Sequence, residues 1–234
     1  DAASKLPHIR ALAPDLDPGH AALLEISTTH ALMSAVQLNA VEFHTWNARK
    51  DRIERPDRMC FDLDPGDGVA WGDVQAGAEL VHVLLQELGL PAFLKTSGGK
   101  GLHVVVPLKR LHDWGVVKNF SHAVVRHLAQ VIPARFVARS GPRNRVGKIY
   151  VDYLRNGRGA TTVSAWSPRV RVGIGISVPI DWDELGKISG GAHWHLRNIA
   201  QRLPQGNTPW QTYGASATAL TQAMHRLGFD PGHA

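Results

Sequence analysis

The chain has 234 residues, of which 44% are hydrophobic, and its formal net charge is +6. This length and composition support a well-packed core and exclude a disordered or fibrous protein. A single cysteine excludes an internal disulfide and a Cys-rich zinc site. The sequence shows neither an apolar run of about 18 residues nor a charged and then apolar leader, so it predicts no membrane span and no signal peptide. We expect one catalytic domain over residues 1–234.

The first forty residues predict a short strand and a helix. Residues 1–19 are Pro-rich and without a periodic pattern, which indicates an extended arm. Residues 23–26 are predicted as a strand and residues 31–39 as a helix, with a Ser-Thr-Thr cap at residues 27–29. The first residue is Asp rather than Met, so we expect the chain to be part of something longer.

Residues 41–46 alternate in the manner of a strand, with Glu42, His44 and Trp46 on one face. A histidine that shares a face with Glu and Trp suggests a site residue. A structural histidine with satisfied hydrogen bonds is the alternative.

The stretch around Asp62 and Asp64 carries the strongest chemical signal. Its apolar residues favour a strand, and Pro65-Gly66 cannot continue one, so both aspartates lie at a strand end. Side chains two apart on a strand share a face, and two such carboxylates repel unless a cation lies between them; Mg²⁺ or Mn²⁺ fits best. A polar turn is the alternative. An EF-hand is excluded, because Asp67 stands where that loop needs Gly.

The rest of the chain alternates between strands and helices. By their periodicity, helices are predicted over residues 71–88, 114–132, 181–185, 193–203 and 216–227, strands over 91–96, 102–107 and 148–154, and one helical turn over 161–166.

The turn over residues 97–101 joins two of these strands and contains three glycines, Ser97 and Lys100. Glycines let backbone N–H groups approach an anion, Lys100 supplies positive charge, and Ser97 and His103 can each donate to a phosphate oxygen. The turn is not a Walker loop, since the glycine spacing is wrong and no helix follows. An ordinary Gly-rich hairpin is the alternative.

The excess charge is concentrated in one stretch. Between residues 133 and 158, seven basic residues stand against Asp152 alone: Arg135, Arg139, Arg143, Arg145, Lys148, Arg155 and Arg158. Such a patch is typical of a surface that binds a phosphate backbone. A solvated basic face is the alternative. Together with the paired aspartates, a third candidate at Asp152 and the glycine turn, it indicates phosphoryl or nucleotidyl transfer.

Four motifs in this order resemble the polymerase domain of bacterial DNA ligase D, a member of the archaeo-eukaryotic primase superfamily. They are Phe61-Asp62-Leu63-Asp64-Pro65-Gly66, Thr96 to His103, Val151 to Asn156 and Trp166-Ser167-Pro168-Arg169. The resemblance extends from about residue 23 to about residue 210. It implies an α+β fold, a primase-like catalytic core of mixed and antiparallel β-sheets flanked by helices.

The resemblance also implies a site and an activity. The activity is the addition of nucleotides, preferentially ribonucleotides, to primer 3′-OH ends in non-homologous end joining. Asp62, Asp64 and Asp152 would bind two divalent metals, Mn²⁺ or Mg²⁺, with His44 close by. The incoming triphosphate would be held by Ser97, Gly98, Lys100, His103, Arg155 and Arg169.

The partners implied by the family are DNA ends, nucleoside triphosphates, the Ku end-binding protein, and the ligase and phosphoesterase domains of the same polypeptide. The implied location is the bacterial cytoplasm, in association with the nucleoid. Members usually carry a further N-terminal module, which we expect to be missing here. Two rival functions are a metal-dependent nuclease, which needs the same carboxylates, and a DNA-end binding module without catalysis.

Overall fold

The computed structural model describes residues 6–233. Within them, the strands and α-helices follow in the order β1 (Arg10–Ala11), β2 (Leu24–Glu25), α1 (Thr29–Gln37), β3 (His44–Trp46), β4 (Arg58–Pro65), α2 (Trp71–Glu87), β5 (Phe93–Thr96), β6 (Leu102–Pro107), α3 (Trp114–Val131), β7 (Phe136–Val137), β8 (Ile149–Asp152), β9 (Thr161–Val163), β10 (Pro179–Ile180) and α4 (Thr221–Leu227). In this described range, no helix combines the length and apolar character needed to span a membrane.

The chain divides into two compact units, one up to Phe43 and one from His44 onward. In the first unit, β1 pairs antiparallel with β2. Helix α1 is capped as predicted, since the Thr28 hydroxyl accepts a hydrogen bond from the backbone N–H of Ala31 at 3.1 Å. Ala31 and Ala35 of this helix form a small apolar cluster with Ile9.

The second unit is built on a six-stranded sheet in the order β10-β5-β6-β4-β8-β7. All neighbours pair antiparallel except β7 and β8, which are parallel. The predicted α+β fold with mixed sheets is confirmed. The prediction of a single domain over residues 1–234 stays a prediction.

The two faces of strand β4 serve different purposes, because side chains alternate along a strand. Met59, Phe61 and Leu63 are fully buried in the main core with residues of α2 and α3. Asp62 and Asp64 therefore point to the opposite face, away from the helices. A second sheet, made of β3 and β9, lies over that face, where Lys95 Nζ of β5 donates to the Val163 carbonyl of β9 at 3.0 Å.

Four predicted elements differ from the structure. Residues 10–11 of the predicted arm form a strand, while residues 1–5 lie outside the described part. Residues 161–166 were predicted as a helical turn, but Thr161–Val163 pair with β3, as β-branched residues favour. The predicted helix over 193–203 is a series of turns with a 3₁₀ turn over Ile199–Gln201. The helix predicted to begin at Ser216 begins at Thr221.

A local competition explains why residues 193–203 do not form an α-helix. The Asn198 side chain accepts from the backbone N–H of His195 at 2.8 Å and donates to the His193 carbonyl at 2.8 Å. Asparagine side chains that bond the nearby backbone offer it an alternative to the helical ladder.

Candidate active site

Three aspartates meet on the face of the six-stranded sheet that lies opposite α2 and α3. Strand β4 lies between β6 and β8, and its Asp62 is directly opposite His103 on one side and Asp152 on the other. Directly opposed residues of antiparallel strands have Cα atoms about 4.5–5.5 Å apart. Asp64 lies two residues farther along β4, opposite Tyr150. The structure thus brings together the three carboxylates that the sequence singled out.

Two arginines from the basic stretch neutralise these carboxylates. Arg155 Nε lies 3.2 Å from Asp152 Oδ2 and 3.8 Å from Asp62 Oδ2, so one guanidinium forms an ion pair with both carboxylates. Arg145 donates to the carboxylate of Asp64. These contacts show that the site binds positive charge at each of the three acidic side chains.

The two opposed aspartates have pKa values shifted in opposite directions. Burial raises the pKa of Asp152 and outweighs the effect of Arg155. Burial also acts to raise the pKa of Asp62, but His103, Arg155 and Lys95 together lower it below its ordinary value. Burial lowers the pKa of His103, and the nearby Asp62 carboxylate acts against this effect.

His103 has one ring nitrogen near the carboxylate and one without a partner. Its Nε2 lies 3.4 Å from Asp62 Oδ1. Its Nδ1 is buried, and no hydrogen-bond partner for it is found among residues 6–233. A buried polar atom without a partner costs free energy unless a ligand or water satisfies it.

The turn between β5 and β6, residues 97–101, is organised around the hydroxyl of Ser97. Ser97 Oγ accepts hydrogen bonds from the backbone N–H groups of Gly99 at 3.1 Å and Gly101 at 3.2 Å. Two accepted bonds leave the hydroxyl proton to be donated to an anion. Arg169 donates to the Ser97 carbonyl at 3.1 Å, and Lys100 is exposed beside it. The turn therefore presents donors and positive charge in one place.

Close backbone packing fixes this turn next to the aspartates. A Cβ atom on Gly101 would lie 1.8 Å from the Leu63 carbonyl oxygen of β4. Gly98 has a positive φ of 68°, and its N–H donates to the Gly191 carbonyl at 2.9 Å. Only glycine allows such an approach, so the glycines here position the turn.

A single cavity contains most of the predicted site residues. Among its lining residues are His44, Asp62, Asp64, Ser97, Lys100, His103, Arg155 and Arg169. The two other predicted residues do not line it: Gly98 holds the turn in place, and Asp152 lies beside Asp62 with Arg155 against its carboxylate. The exposed His44 of β3 reaches this cavity because β3 pairs with β9, whose Thr161, Thr162 and Val163 form part of the wall.

Three further residues of the site were not predicted from the sequence. Arg171 also lines the cavity, and its position two residues after Arg169 was the available signal. Lys95 is buried beneath the cavity, where burial lowers its pKa to about 8. Asn156 is fully buried, and its side chain bonds both backbone groups of Cys60 at 2.8 Å. Asn156 ends the third sequence motif, but its residue type alone did not indicate this buried role.

The donor set can be tested against a divalent metal. Carboxylate oxygens are the ligands that Mg²⁺ and Mn²⁺ prefer, and the three aspartates supply them on one face. As the site stands, residues 6–233 contain no group of three or more His, Cys, Asp or Glu side chains arranged to hold a metal ion. Arg145 contacts the carboxylate of Asp64, and Arg155 contacts that of Asp152. By the chemistry of their oxygen donors, the three aspartates fit a divalent cation.

Comparison with known proteins gives consistent matches. Residues 2–210 match the family described as LigD, primase-polymerase domain. The multifunctional non-homologous end joining protein LigD of Pseudomonas aeruginosa is 51% identical over 224 residues, which cover 95% of this chain and 27% of that protein. LigD of Mycobacterium bovis is 35% identical over 128 residues, which cover 55% of this chain and 17% of that protein. The chain thus corresponds to a minor part of the length of these relatives.

A solved structure is also similar. It is the polymerase domain of Mycobacterium tuberculosis ligase D in complex with DNA, with a TM-score of 0.77 and 27% sequence identity. The match covers 92% of this chain and 77% of that chain.

Proposed function

The chain belongs to the LigD primase-polymerase domain family, and from this premise we propose that it is a nucleotidyltransferase that adds nucleotides to the 3′-OH of a DNA end during non-homologous end joining. The observation that carries the proposal is the position of Asp62 opposite Asp152, next to the glycine turn with Ser97 and Lys100. Acidic side chains beside an anion site are what phosphoryl transfer requires, since the reaction needs bound metal and a held polyphosphate.

The chain's own residues divide into two groups in this proposal. Ser97 and Lys100 bind the triphosphate with Arg169, whose guanidinium also holds the turn through the Ser97 carbonyl. His103 and the exposed His44 contact the same nucleotide from the other walls of the cavity. Fixed positive charge around the phosphates stabilises the charge that spreads over their oxygens in the transition state.

Asp62, Asp64 and Asp152 would hold the divalent metals. Such ions, Mn²⁺ or Mg²⁺, activate a hydroxyl nucleophile and neutralise charge on departing pyrophosphate. Arg155 bridges Asp152 and Asp62 and keeps the two carboxylates compatible with each other before metal and substrate arrive. Ribonucleotide preference and partnership with Ku and with ligase and phosphoesterase domains are carried over from the family resemblance as parts of this proposal.

The test is primer extension by the Asp62→Asn variant with Mn²⁺ and nucleoside triphosphates. We expect extension to fall at least ~100-fold, because metal binding and charge stabilisation are lost together. DNA affinity should be unchanged or slightly higher, since one negative charge is removed. The matched control is Asp183→Asn, an exposed aspartate just after β10, which should extend normally. Wild-type extension by Asp62→Asn would contradict the proposal.

The same assay separates the two rival functions. A nuclease would shorten the labelled strand in the presence of metal without nucleoside triphosphates. A binding module without catalysis would leave its length unchanged under all conditions. The turn over residues 97–101 favours lengthening, because a nuclease has no use for a polyphosphate site.

A further inference from the structure

A hairpin-like loop over residues 168–176 projects next to the cavity. Pro168 and Ile176 form an antiparallel bridge at its base, and the Arg169 N–H donates to the Gly175 carbonyl at 2.8 Å. Gly175 is bridged in turn to His195. The base is therefore fixed by backbone bonds. We call residues 170–174 the valine tip.

The two sides of this loop have opposite character. Arg169 and Arg171 line the cavity. Val170 and Val172, which alternate with them, are 68% and 108% exposed. Scattered exposed apolar residues are ordinary on protein surfaces. Here two exposed valines alternate along the chain with two arginines that line the cavity.

The backbone of the valine tip is also strained. Ile174 has a positive φ of 48°, and a β-branched residue in that region is uncommon and unfavourable. Residues held in such conformations concentrate at functional sites, where the surrounding structure maintains them. Gly173 also has a positive φ, of 90°, and the Ile174 N–H donates to the Arg171 carbonyl at 2.9 Å, so the chain turns at these residues.

The end of a DNA strand carries both phosphates, which arginines bind, and apolar sugar and base surfaces, which valines can pack against. The backbone turns tightly between the two arginines, since the Arg171 N–H donates to the Arg169 carbonyl at 2.8 Å. The arginines on the cavity side can therefore meet phosphates, and the exposed valines can meet sugar and base faces. Apolar side chains that pack against or between bases are a recurring way to hold DNA. The positive charge of Arg169 and Arg171 complements the negative phosphates of DNA, and both arginines line the cavity.

We propose that the valine tip is a DNA contact, in which Val170 and Val172 pack against the terminal nucleotide of the DNA end beside the catalytic cavity. This inference rests on the proposed polymerase function. The contact holds the end of the strand through its apolar surface and leaves the phosphates to the arginines.

The test is the binding of a fluorescein-labelled duplex with a 3′ overhang, measured by anisotropy at several salt concentrations. We expect the double variant Val170→Ser/Val172→Ser to bind roughly fivefold to twentyfold more weakly, because partial burial of two valines is lost. The dependence of log Kd on log salt should keep its slope, since no phosphate contact is removed. The KM for nucleotide should stay near that of the wild type, because the valines contact the DNA end and not the incoming nucleotide.

Two further variants make the outcome specific. Val83→Ser/Val131→Ser removes two exposed valines of α2 and α3, on the helical side of the sheet, and should bind DNA normally. Val170→Leu/Val172→Leu keeps the apolar surface and should retain affinity. Binding by the serine variant equal to that of the helix control would overturn the inference, as would a loss that appears in the KM for nucleotide alone. Binding does not require extension, so failure of this inference is distinct from failure of the polymerase proposal.

Discussion

At the scale of single residues, Asn156 explains how the acidic site keeps its shape. Strand β8 ends at Asp152, so it cannot pair with β4 beyond Asp62. The Asn156 side chain takes its place: it accepts from the Cys60 N–H and donates to the Cys60 carbonyl, both at 2.8 Å. One amide thus extends the hydrogen-bond pattern of the sheet next to the aspartates, and it places the preceding residue, Arg155, against them.

We expect Asn156→Ala to lower the free energy of unfolding by about 2–4 kcal/mol, because two buried backbone groups lose their partners. Chemical denaturation measures this change. The control is Asn144→Ala in an exposed turn, where the effect should stay within about 0.5 kcal/mol. Equal midpoints for the two variants would show that water replaces the amide and that Asn156 does not hold the strand.

The single cysteine, Cys60, lies beside the site, but its surroundings make it a poor nucleophile. Cys60 is 1% exposed on the same face as Asp62, and burial raises the pKa of its thiol to about 12. A thiol with so high a pKa is not a nucleophile near neutral pH. Its position beside the site is therefore structural.

At the scale of elements, the turn between β5 and β6 depends on contact with its neighbours more than on its own sequence. Gly101 passes so close to Leu63 of β4 that a methyl group would overlap the carbonyl oxygen. The turn and the strand that bears the aspartates therefore form one unit. Movement of either would separate the anion donors from the carboxylates.

We expect Gly101→Ala to displace this turn, with a loss of about 1–3 kcal/mol in the free energy of unfolding and a KM for nucleoside triphosphate raised about tenfold. Steady-state extension and thermal denaturation measure the two effects. The control is Gly72→Ala near the start of α2, where an added Cβ meets nothing within 4 Å. That change should be neutral or stabilising by up to about 1 kcal/mol. An unchanged KM for Gly101→Ala would argue against a triphosphate site in this turn.

At the scale of the whole molecule, acidic partners reduce the charge of the basic stretch, which contains seven basic residues. Four of its residues pair with acidic side chains: Arg135 with Asp73, Arg145 with Asp64, Arg155 with Asp152 and Arg158 with Glu54. Arg139 and Arg143 are exposed, and no ion pair involves them within residues 6–233. The positive charge available to a phosphate backbone is therefore smaller than the sequence alone indicates.

We expect Arg139→Gln/Arg143→Gln to weaken DNA binding and to reduce the slope of log Kd against log salt by up to about two, since each lost phosphate contact removes about 0.9. Anisotropy titrations between about 50 and 200 mM salt measure this slope. Arg135→Gln is the matched control, because Arg135 already pairs with Asp73, and its slope should equal that of the wild type. If both variants kept the wild-type slope, this stretch would be a solvated face.

Local patterns determined the elements that carry the chemistry. The strand with Asp62 and Asp64, the two long helices and the glycine turn lie where periodicity and turn residues predicted them, because these signals depend on neighbours along the chain. Residues 161–166 and 193–203 were mispredicted, since strand pairing and side-chain bonds to the backbone, respectively, overrode local propensity there.

The sequence by itself determined which residue types the site contains and the family to which they point. Only the tertiary structure decided that Asp152 lies opposite Asp62, that Arg145 and Arg155 take up the carboxylates, and that Arg171 joins Arg169 at the cavity. Strand order and register bring together residues about ninety positions apart, and no local pattern encodes that pairing. The site depends on which strands become neighbours, and that choice is made by burial of the apolar face of the sheet against α2 and α3.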